Sequence, residues 1–361
     1  GLALATKHNS WLLPPIFAVH YLWLRLDEAR EDRRPRTPAW WLLSMLLLGP
    51  LVLIATWPLL WSHTLDRLAA YVSFHLHHVH YSYAYLGQTY FEPPFPVSVP
   101  FVMTLFTVPL TFLLLSVFGL FSSWPSLRPP WLSAPVGNRA SSAALRTRLL
   151  WFGCALCPML AIAWPSSPIF GGSKHWLTSY PFVDIFAGAG FDWSARAARG
   201  VSLTRAFPAG IFAAILLAPS AVETAHSHPF GLSHYTALPA GVPGAAALGM
   251  NRQFWGFTTG SLASWLAEQL PDGGRIFLCD TTAGAWQMLQ RDGKVPANIR
   301  PARSMQSADF VLVHHERHFD EVDFQAWVAF DEVQPVHVIS YDGVPIISVY
   351  ENPARRRSSS D

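Results

Sequence analysis

Two Lys-His pairs are the residues in this sequence best suited to binding an anion, Lys7-His8 and Lys174-His175. Each pair lies beside an apolar segment, and an ionisable side chain at the depth of a membrane is costly to retain without a role. A lysine in that position can hold the phosphate of a lipid carrier through a charge-assisted hydrogen bond. The alternative is that both lysines only reach the membrane surface and anchor the segments that follow.

Two glycines, Gly171 and Gly172, stand shortly before the second pair. Glycine lets the backbone approach a ligand closely, and backbone N–H groups in a turn can contact an anionic head group. The alternative is a simple turn ahead of a helix. The residues that we predict to bind a lipid phosphate are Lys7, His8, Lys174 and His175.

Histidines and tyrosines are concentrated between residues 62 and 98. The segment contains His75, His77, His78 and His80, then Tyr81, Tyr83, Tyr85 and Tyr90, and then Glu92. On a helix His77 and His80 would share one face, so a metal site is one interpretation and a divalent metal cofactor remains open. No acidic or cysteine partner is nearby, which favours a helix lying at the membrane surface. The possible substrate-contacting residues of this loop are His77, His78, Tyr85 and Glu92.

The elements that position these residues are predicted to be membrane-spanning helices. Hydrophobic residues make up 51% of the chain and charged residues 13%, against about 25% charged residues in a soluble domain. Apolar segments at 9–26, 40–61 and 99–121 are long enough to cross about 30 Å of hydrocarbon, and further ones follow at 149–164, 176–191 and 201–222. We expect an α-helical polytopic membrane domain over 1–222, with about six spans.

Arginine placement predicts the orientation of these spans, since short cytoplasmic connections are enriched in Arg and Lys. The connections 27–38, 122–148 and 192–200 carry several arginines each, whereas 62–98 and 165–175 carry one basic residue each. Both Lys-His pairs are therefore expected on the outer face, together with the C-terminal part. The net charge of +2 and the scattered arginines exclude a nucleic-acid surface.

The composition becomes that of a soluble domain after about residue 225. The pattern predicts helices at 259–270, 282–291 and 324–330, strands at 275–279 and 309–314, and a hairpin of 336–341 with 344–350 across Asp342-Gly343. We expect a small soluble α/β domain over 223–352 and a disordered tail over 353–361. No phosphate-binding glycine loop or nucleophile elbow occurs in it, so it is expected to cover the site without supplying its chemistry.

Four groups of residues give the chain a resemblance to a known family. They are Gly1-Leu2-Ala3-Leu4-Ala5-Thr6-Lys7; Tyr85-Leu86-Gly87 with Glu92-Pro93-Pro94; Gly171-Gly172-Ser173-Lys174-His175-Trp176 ahead of Tyr180-Pro181-Phe182; and Leu248-Gly249-Met250 before Phe254-Trp255-Gly256. In their order and placement they resemble bacterial glycosyltransferase family 39, relatives of the protein O-mannosyltransferases with a GT-C membrane fold. The resemblance covers most of the chain.

The resemblance implies an inverting enzyme that moves a sugar from a polyprenyl-phosphate carrier to an acceptor, which could be a protein, a lipid or a glycan. The expected location is the bacterial inner membrane, as a multi-pass protein whose C-terminal domain is extracytoplasmic. In the family a carboxylate of the first outer loop acts as the base, and cations near the lipid phosphate match Lys7 and, less closely, Lys174 and His175.

That family loop precedes the position that matches Gly1. The resemblance therefore implies an N-terminally truncated chain that lacks the expected catalytic Asp or Glu and is itself inactive, and no catalytic residue is assigned. Two other classes of protein stay open. One is a non-catalytic membrane scaffold that displays the α/β domain, and the other is a transporter, for which no internal repeat is visible.

Overall fold

The computed structural model describes residues 1–30, 38–123, 142–169, 171–199 and 209–358. The chain divides into two compact units. The first comprises Gly1–Tyr81 and Glu92–Ser220, and the second comprises Ser82–Phe91 and Ala221–Asp361. The first unit is helical, whereas the second contains a small β-sheet near the C-terminal end of the chain.

The described helices of the first unit are α1 Leu2–Thr6, α2 Leu13–Arg30, α3 Trp40–Thr56, α4 Thr64–Leu76, α5 Val99–Thr107, α6 Leu110–Ser123, α7 Ser142–Ala163 and α8 Tyr180–Arg199. Helix α9, Ala209–Ser227, follows, and the division between the two units falls within it. Short 3₁₀ helices occupy His8–Leu12, Pro58–Trp61, Gly172–His175 and Leu177–Ser179.

Prolines end two of the predicted spans early. The predicted span 99–121 is broken into α5 and α6, which meet at an angle of 119°. Val108 is extended, with φ −90° and ψ 132°, because Pro109 disfavours helical backbone in the residue before it. Trp57 is likewise extended before Pro58, so α3 has 17 residues where a straight crossing needs about 20.

Six continuous spans are not observed in the described residues. Two helices there are long and apolar enough to cross a membrane, Leu145–Ala163 and Gly210–Ser227, and a third is present if the bent pair α5 and α6 counts as one span. Helix α3 is apolar but shorter. Helix α2 contains four charged residues near its C-terminal end, including Arg25 and Asp27, which makes it less apolar than the sequence window 9–26 suggests.

Helices α2 and α7 run in opposite directions beside each other. Near the C-terminal end of α2, Asp27 forms an ion pair with Arg146 of α7, and His20 Nε2 lies 3.0 Å from the carbonyl oxygen of Arg146. At the other end His8 and Asn9 lie beside Ala161 of α7. The N-terminal Lys-His pair and the described arginine-bearing end of α7 are therefore at opposite ends of this helix pair. Half of the arginines used for the orientation lie outside the described residues.

Helices α6 and α8 touch through their backbones at two glycines. A Cβ atom added at Gly119 would lie 1.7 Å from the carbonyl oxygen of Phe186, and one at Gly190 would lie 1.9 Å from that of Leu115. The Ser116 hydroxyl also donates to the Val183 carbonyl across the pair, at 3.1 Å. Small residues at such positions are typical of helix packing in membranes.

The second unit contains helices α10 Gly241–Ala247, α11 Ala263–Gln269, α12 Ala283–Arg291, α13 Asp320–Phe330 and α14 Pro353–Ser358. A hairpin is formed by β1 Tyr83–Tyr85 and β2 Gln88–Tyr90, and the sheet by β3 Gly274–Leu278, β4 Ile299–Pro301, β5 Phe310–His314, β6 His337–Tyr341 and β7 Val344–Glu351.

The five-stranded sheet has the order β4-β3-β5-β7-β6. Strands β3, β4 and β5 are parallel, whereas β7 is antiparallel to β5 and to β6. Both faces are covered: Leu266 and Trp286 pack on one side, and Ala326 and Phe330 on the other. The predicted small α/β domain is thus observed, with β4 as an additional short strand.

Local signals explain why the predicted elements of this unit form where they do. The Thr282 hydroxyl caps α12 by accepting from the Ala285 N–H at 3.2 Å. Asp342 and Gly343 both have positive φ, 49° and 76°, which is the backbone of the tight hairpin turn that an Asp-Gly pair favours. The start of the predicted tail is helical, contrary to the prediction of disorder, because Arg355 bonds to Glu351 at 2.6 Å and thereby fixes the start of α14.

The β1–β2 hairpin is the main unpredicted feature, because its residues fall in the predicted outer loop 62–98. Its turn, Leu86-Gly87, has positive φ at both residues. The Gly87 N–H donates to the Gly249 carbonyl at 3.2 Å, so two of the four sequence groups that carry the family resemblance contact each other within the second unit.

Candidate functional site

A cavity of about 440 Å³ lies in the first unit, where the chain enters α2 and leaves α7. Its polar lining is His8, Asn9, His75, His78, Ser167 and His175, and its apolar lining includes Trp11, Leu12, Ile162 and Pro168. Both histidines of the two predicted Lys-His pairs therefore face the same cavity, although 167 positions separate them in the sequence.

Asn9 connects the two pairs directly. It is 5% exposed, and its side-chain N–H donates to the carbonyl of His175. Its Oδ1 atom has no hydrogen-bond partner among the described residues. Because a buried polar atom is costly to leave unpaired, this oxygen marks the cavity as a place where a polar ligand or water would be bound.

The histidines come from three separate segments. His8 begins the first 3₁₀ helix and stacks on His75 of α4, with ring centroids 4.0 Å apart. The edge of Tyr71, one turn earlier in α4, contacts His75 at 4.5 Å, and Trp11 in turn contacts Tyr71 at 5.8 Å. This aromatic packing fixes α4 against the start of α2.

The second Lys-His pair is held by a tight turn and a buried indole. Gly171 and Gly172 have φ values of 69° and 66°, a conformation that favours glycine. Trp176 is fully buried and its indole N–H donates to the Thr104 hydroxyl at 2.8 Å. His175 is 7% exposed. The turn thus brings His175 to the cavity wall, as the spacing of the glycines suggested.

The two lysines lie close enough for their charges to repel each other. Burial and the charge of Lys7 lower the pKa of Lys174 to about 8. Burial, then the charges of His75 and Lys7, lowers the pKa of His8 to about 4, and burial lowers the pKa of His75 as well. At neutral pH the lysines carry positive charge while His8 and His75 are neutral hydrogen-bonding groups.

Such an arrangement is suited to an anion with an apolar tail. The ammonium groups of Lys7 and Lys174, whose charges act on His8 at the cavity wall, attract a phosphate, and the neutral imidazoles and Asn9 of the lining offer hydrogen bonds to it. Phosphate binding would relieve the repulsion between Lys7 and Lys174. Among the described residues, the cavity lining includes no aspartate or glutamate, so no carboxylate base is assigned there.

The four predicted loop residues are not gathered at this cavity. His78 lines it, whereas His77 is exposed and its Nδ1 lies 3.1 Å from the Ser73 carbonyl oxygen. Glu92 is exposed, and Tyr85 is buried in strand β1 of the second unit. Among the described residues no group of three or more His, Cys, Asp or Glu is placed to hold a metal ion.

Sequence reasoning missed Asn9 and His75 as site residues. Asn9 directly follows the Lys7-His8 pair, so its position was a usable signal. His75 and His78 share a helical spacing of three, but the pair considered from the sequence was His77 and His80. His77 is two residues after His75, so even a continuing helix would place it about 200° around the axis from His75, and helix α4 already ends at Leu76.

Comparison of the chain with protein-family models, with characterised proteins and with solved structures found no match. The resemblance to glycosyltransferase family 39 therefore continues to rest on the sequence motifs. The geometry of the cavity is the independent basis on which a function is proposed.

Proposed function

We propose that this chain is part of a membrane glycosyltransferase that takes a sugar from a polyprenyl-phosphate carrier and transfers it to an acceptor on the outer face of the membrane. The observation that carries the proposal is that His8 and His175, the histidines of the two Lys-His pairs, line one cavity and are joined through the contact of Asn9 with His175, while the charges of Lys7 and Lys174 both act on His8. A carrier phosphate bound there would lie between Lys7 and Lys174.

The physical chemistry of the cavity supports a phosphate attached to a lipid. A hydrogen bond to a charged group contributes about 1.5–3 kcal/mol, and two lysines give two such contacts. Trp11, Leu12 and Ile162 supply apolar surface in the cavity beside His8, Asn9 and His175, which suits the first isoprene units of a carrier. Several apolar helices in the same unit are compatible with a membrane location.

The same lysines would assist the transfer step. An acceptor hydroxyl attacks the anomeric carbon, the bond from that carbon to the phosphate oxygen breaks, and the phosphate keeps the electron pair. The lysines stabilise the charge that develops on the departing phosphate. The proton of the acceptor goes to a base that we do not assign.

Carrier binding is the first test. In detergent, Lys7→Ala and Lys174→Ala should each weaken the binding of a fluorescent short-chain polyprenyl phosphate by about tenfold or more, since about 1.4 kcal/mol corresponds to one decade. His77→Ala is the matched control, because His77 is exposed and outside the cavity lining. Unchanged affinity in both lysine variants, with expression preserved, would leave the pairs as interfacial anchors.

Sugar transfer is the second test. The full-length protein in liposomes is given a panel of polyprenyl-phosphate sugars and mixed protein, glycan and lipid acceptors. We expect transfer that Lys7→Ala reduces and His77→Ala does not. Carrier binding without any transfer would favour the non-catalytic scaffold, and movement of the carrier across the liposome membrane would favour a transporter.

A further inference from the structure

The sheet of the second unit has a topological switch point between β3 and β5. From β3 the chain passes through α12 to β4 on one side, and then returns to β5 on the other side of β3. Strands β3 and β5 are parallel neighbours. In open α/β sheets ligands bind in the crevice outside the carboxyl ends of two such strands.

A carboxyl group follows each of these two strands. Asp280 stands two residues after the end of β3, and Glu316 stands two residues after the end of β5. The Asp280 carboxylate accepts a hydrogen bond from the side-chain amide of Gln253 at 3.3 Å and another from the backbone N–H of Gly256. Gln253 is itself fully buried and fixed by the Thr258 hydroxyl at 3.1 Å.

Gly256 is required for this arrangement. Its φ is 59°, and a Cβ atom on it would lie 2.8 Å from the Thr281 hydroxyl oxygen. The Phe254-Trp255-Gly256 segment therefore directs the backbone N–H of Gly256 to the Asp280 carboxylate. This role within the second unit was not predicted from the sequence.

Glu316 is buried with one oxygen unpaired. The residue is 8% exposed, its Oε2 lies 3.4 Å from His318 Nδ1, and its Oε1 has no hydrogen-bond partner among the described residues. Asn251, 6% exposed in the same loop as Gln253, also has an unpaired side-chain oxygen. Neither Asp280 nor Glu316 forms an ion pair with a lysine or arginine in the described part of the chain.

The charge of Asp280 affects the protonation of Glu316. Burial, and then the charge of Asp280, raises the pKa of Glu316 to about 9, and burial raises the pKa of Asp280. The other titratable or charged groups around this edge of the unit are Tyr235, Arg252, Cys279, His314, His315, Arg317, His318, Asp320 and Asp323. At neutral pH the Glu316 carboxyl is therefore protonated. Without that proton, its buried negative charge would need a cation beside it.

We propose that the crevice at the carboxyl ends of β3 and β5 is a binding site for an organic cation, held as an ammonium or guanidinium group between Asp280 and Glu316. Buried carboxylates require a paired charge, and the unpaired oxygens of Glu316 and Asn251 offer acceptors to the several N–H donors of such a group. A metal ion is less suited, since no three-ligand group is present in the described residues. The proposal does not depend on carrier binding in the first unit.

The test uses methylguanidinium as probe and the full chain in detergent, studied by calorimetry at about pH 6 and about pH 9. The probe keeps its charge over this range because guanidinium groups have a pKa above about 12. We expect affinity to rise by about tenfold or more toward pH 9, with proton release on binding, because the cation favours ionised Glu316.

Three variants test which carboxyl groups bind the probe. Asp280→Asn should abolish binding, and Glu316→Gln should remove the rise with pH. Asp292→Asn, which removes an exposed carboxylate of the same unit, should change neither. The proposal is overturned if Asp280→Asn binds as the unaltered chain does, or if Ca²⁺ binds with this variant pattern and methylguanidinium does not.

A variant that fails to fold does not remove the test. Proton release by the unaltered chain is measured by repeating the calorimetry in buffers of different ionisation enthalpy. Binding of methylguanidinium without proton release at about pH 7, or no binding at millimolar concentration, would also overturn the proposal.

Discussion

At and near the cavity, the lysines carry the positive charge and His8 acts as a neutral hydrogen-bonding group. The sequence predicted His8 and His175, together with the two lysines, to bind a lipid phosphate. Burial lowers the pKa of His8 to about 4, so this histidine acts as a neutral group at physiological pH. The positive charge comes from Lys7 and Lys174, whose mutual repulsion is the property that an anion would relieve.

The lowered pKa of Lys174 predicts how carrier binding depends on pH. Below its pKa of about 8 Lys174 is protonated and attracts phosphate, and above it the charge is lost. Affinity for a polyprenyl phosphate should therefore fall by up to about tenfold between about pH 7 and about pH 9. The fall is measured by fluorescence titration.

Lys174→Arg is the matched control, since arginine stays charged throughout this range. Its affinity should be nearly constant up to about pH 9. If the arginine variant lost affinity as steeply as the unaltered chain, the titrating group would not be Lys174.

At the scale of elements, glycine decides how close two helices come. The backbones of α6 and α8 touch at Gly119 and Gly190, where an added Cβ would lie within 2 Å of a carbonyl oxygen. Gly119→Ala and Gly190→Ala should each destabilise the protein by about 1–3 kcal/mol or more, because the helices must separate to admit the methyl group. Thermal unfolding in detergent measures this.

Gly188, in the same helix α8, provides the comparison. No atom of the described residues lies within 4 Å of a Cβ added there, so Gly188→Ala should be neutral or stabilising by about 0.5–1 kcal/mol through helix propensity. Equal unfolding temperatures for Gly188→Ala and Gly190→Ala would show that the close contact does not contribute.

The β1–β2 hairpin gives a second prediction at this scale. A Cβ at Gly249 would lie 2.4 Å from the Cα of Gly87, and the φ of Gly249 is 73°. Gly343 has a similar φ of 76° but nothing within 4 Å of an added Cβ. Both alanine variants suffer the left-handed strain of about 1–2 kcal/mol.

Gly249→Ala should therefore cost more than Gly343→Ala, because only the former displaces the hairpin turn. The difference is measured by denaturant unfolding, and limited proteolysis between β1 and β2 should increase in Gly249→Ala alone. The docking of this hairpin would be disproved by proteolysis that is the same in both variants.

At the scale of the whole molecule, the prediction concerns the topology of the chain across a membrane. The arginine asymmetry predicts the connection 27–38 on the cytoplasmic side and the segment 82–91 on the outer side. In a chain whose native cysteines are replaced by serine, Arg34→Cys and Gln88→Cys should react with a membrane-impermeant thiol reagent from opposite sides. Labelling of both from one side would contradict the proposed orientation.

The sequence by itself determined most elements of the C-terminal unit. Strands at 275–279 and 309–314 and the Asp342-Gly343 hairpin were predicted within a residue or two of β3, β5, β6 and β7. These elements depend on short runs of apolar, β-branched and aromatic residues and on turn residues, which are local properties. The family resemblance and the two Lys-His pairs were likewise read from consecutive residues.

The helical unit was predicted less completely, because an apolar segment does not specify a straight helix. The hydropathy pattern predicted one continuous helix for 99–121 and one for 40–61. In the structure Val108 and Trp57 are extended, because each precedes a proline. The prolines were visible in the sequence. Whether each one kinks a helix or ends it depends on the neighbours that pack around the break.

Only the tertiary structure decided which distant residues meet. His8 and His175 reach one cavity because α2 and α7 run in opposite directions, and His75 joins them because its ring stacks on that of His8. Asp280 and Glu316 stand at one edge of the sheet because β3 and β5 are parallel neighbours. Such meetings depend on strand order and helix packing, which join residues far apart in the chain and leave no local pattern to read.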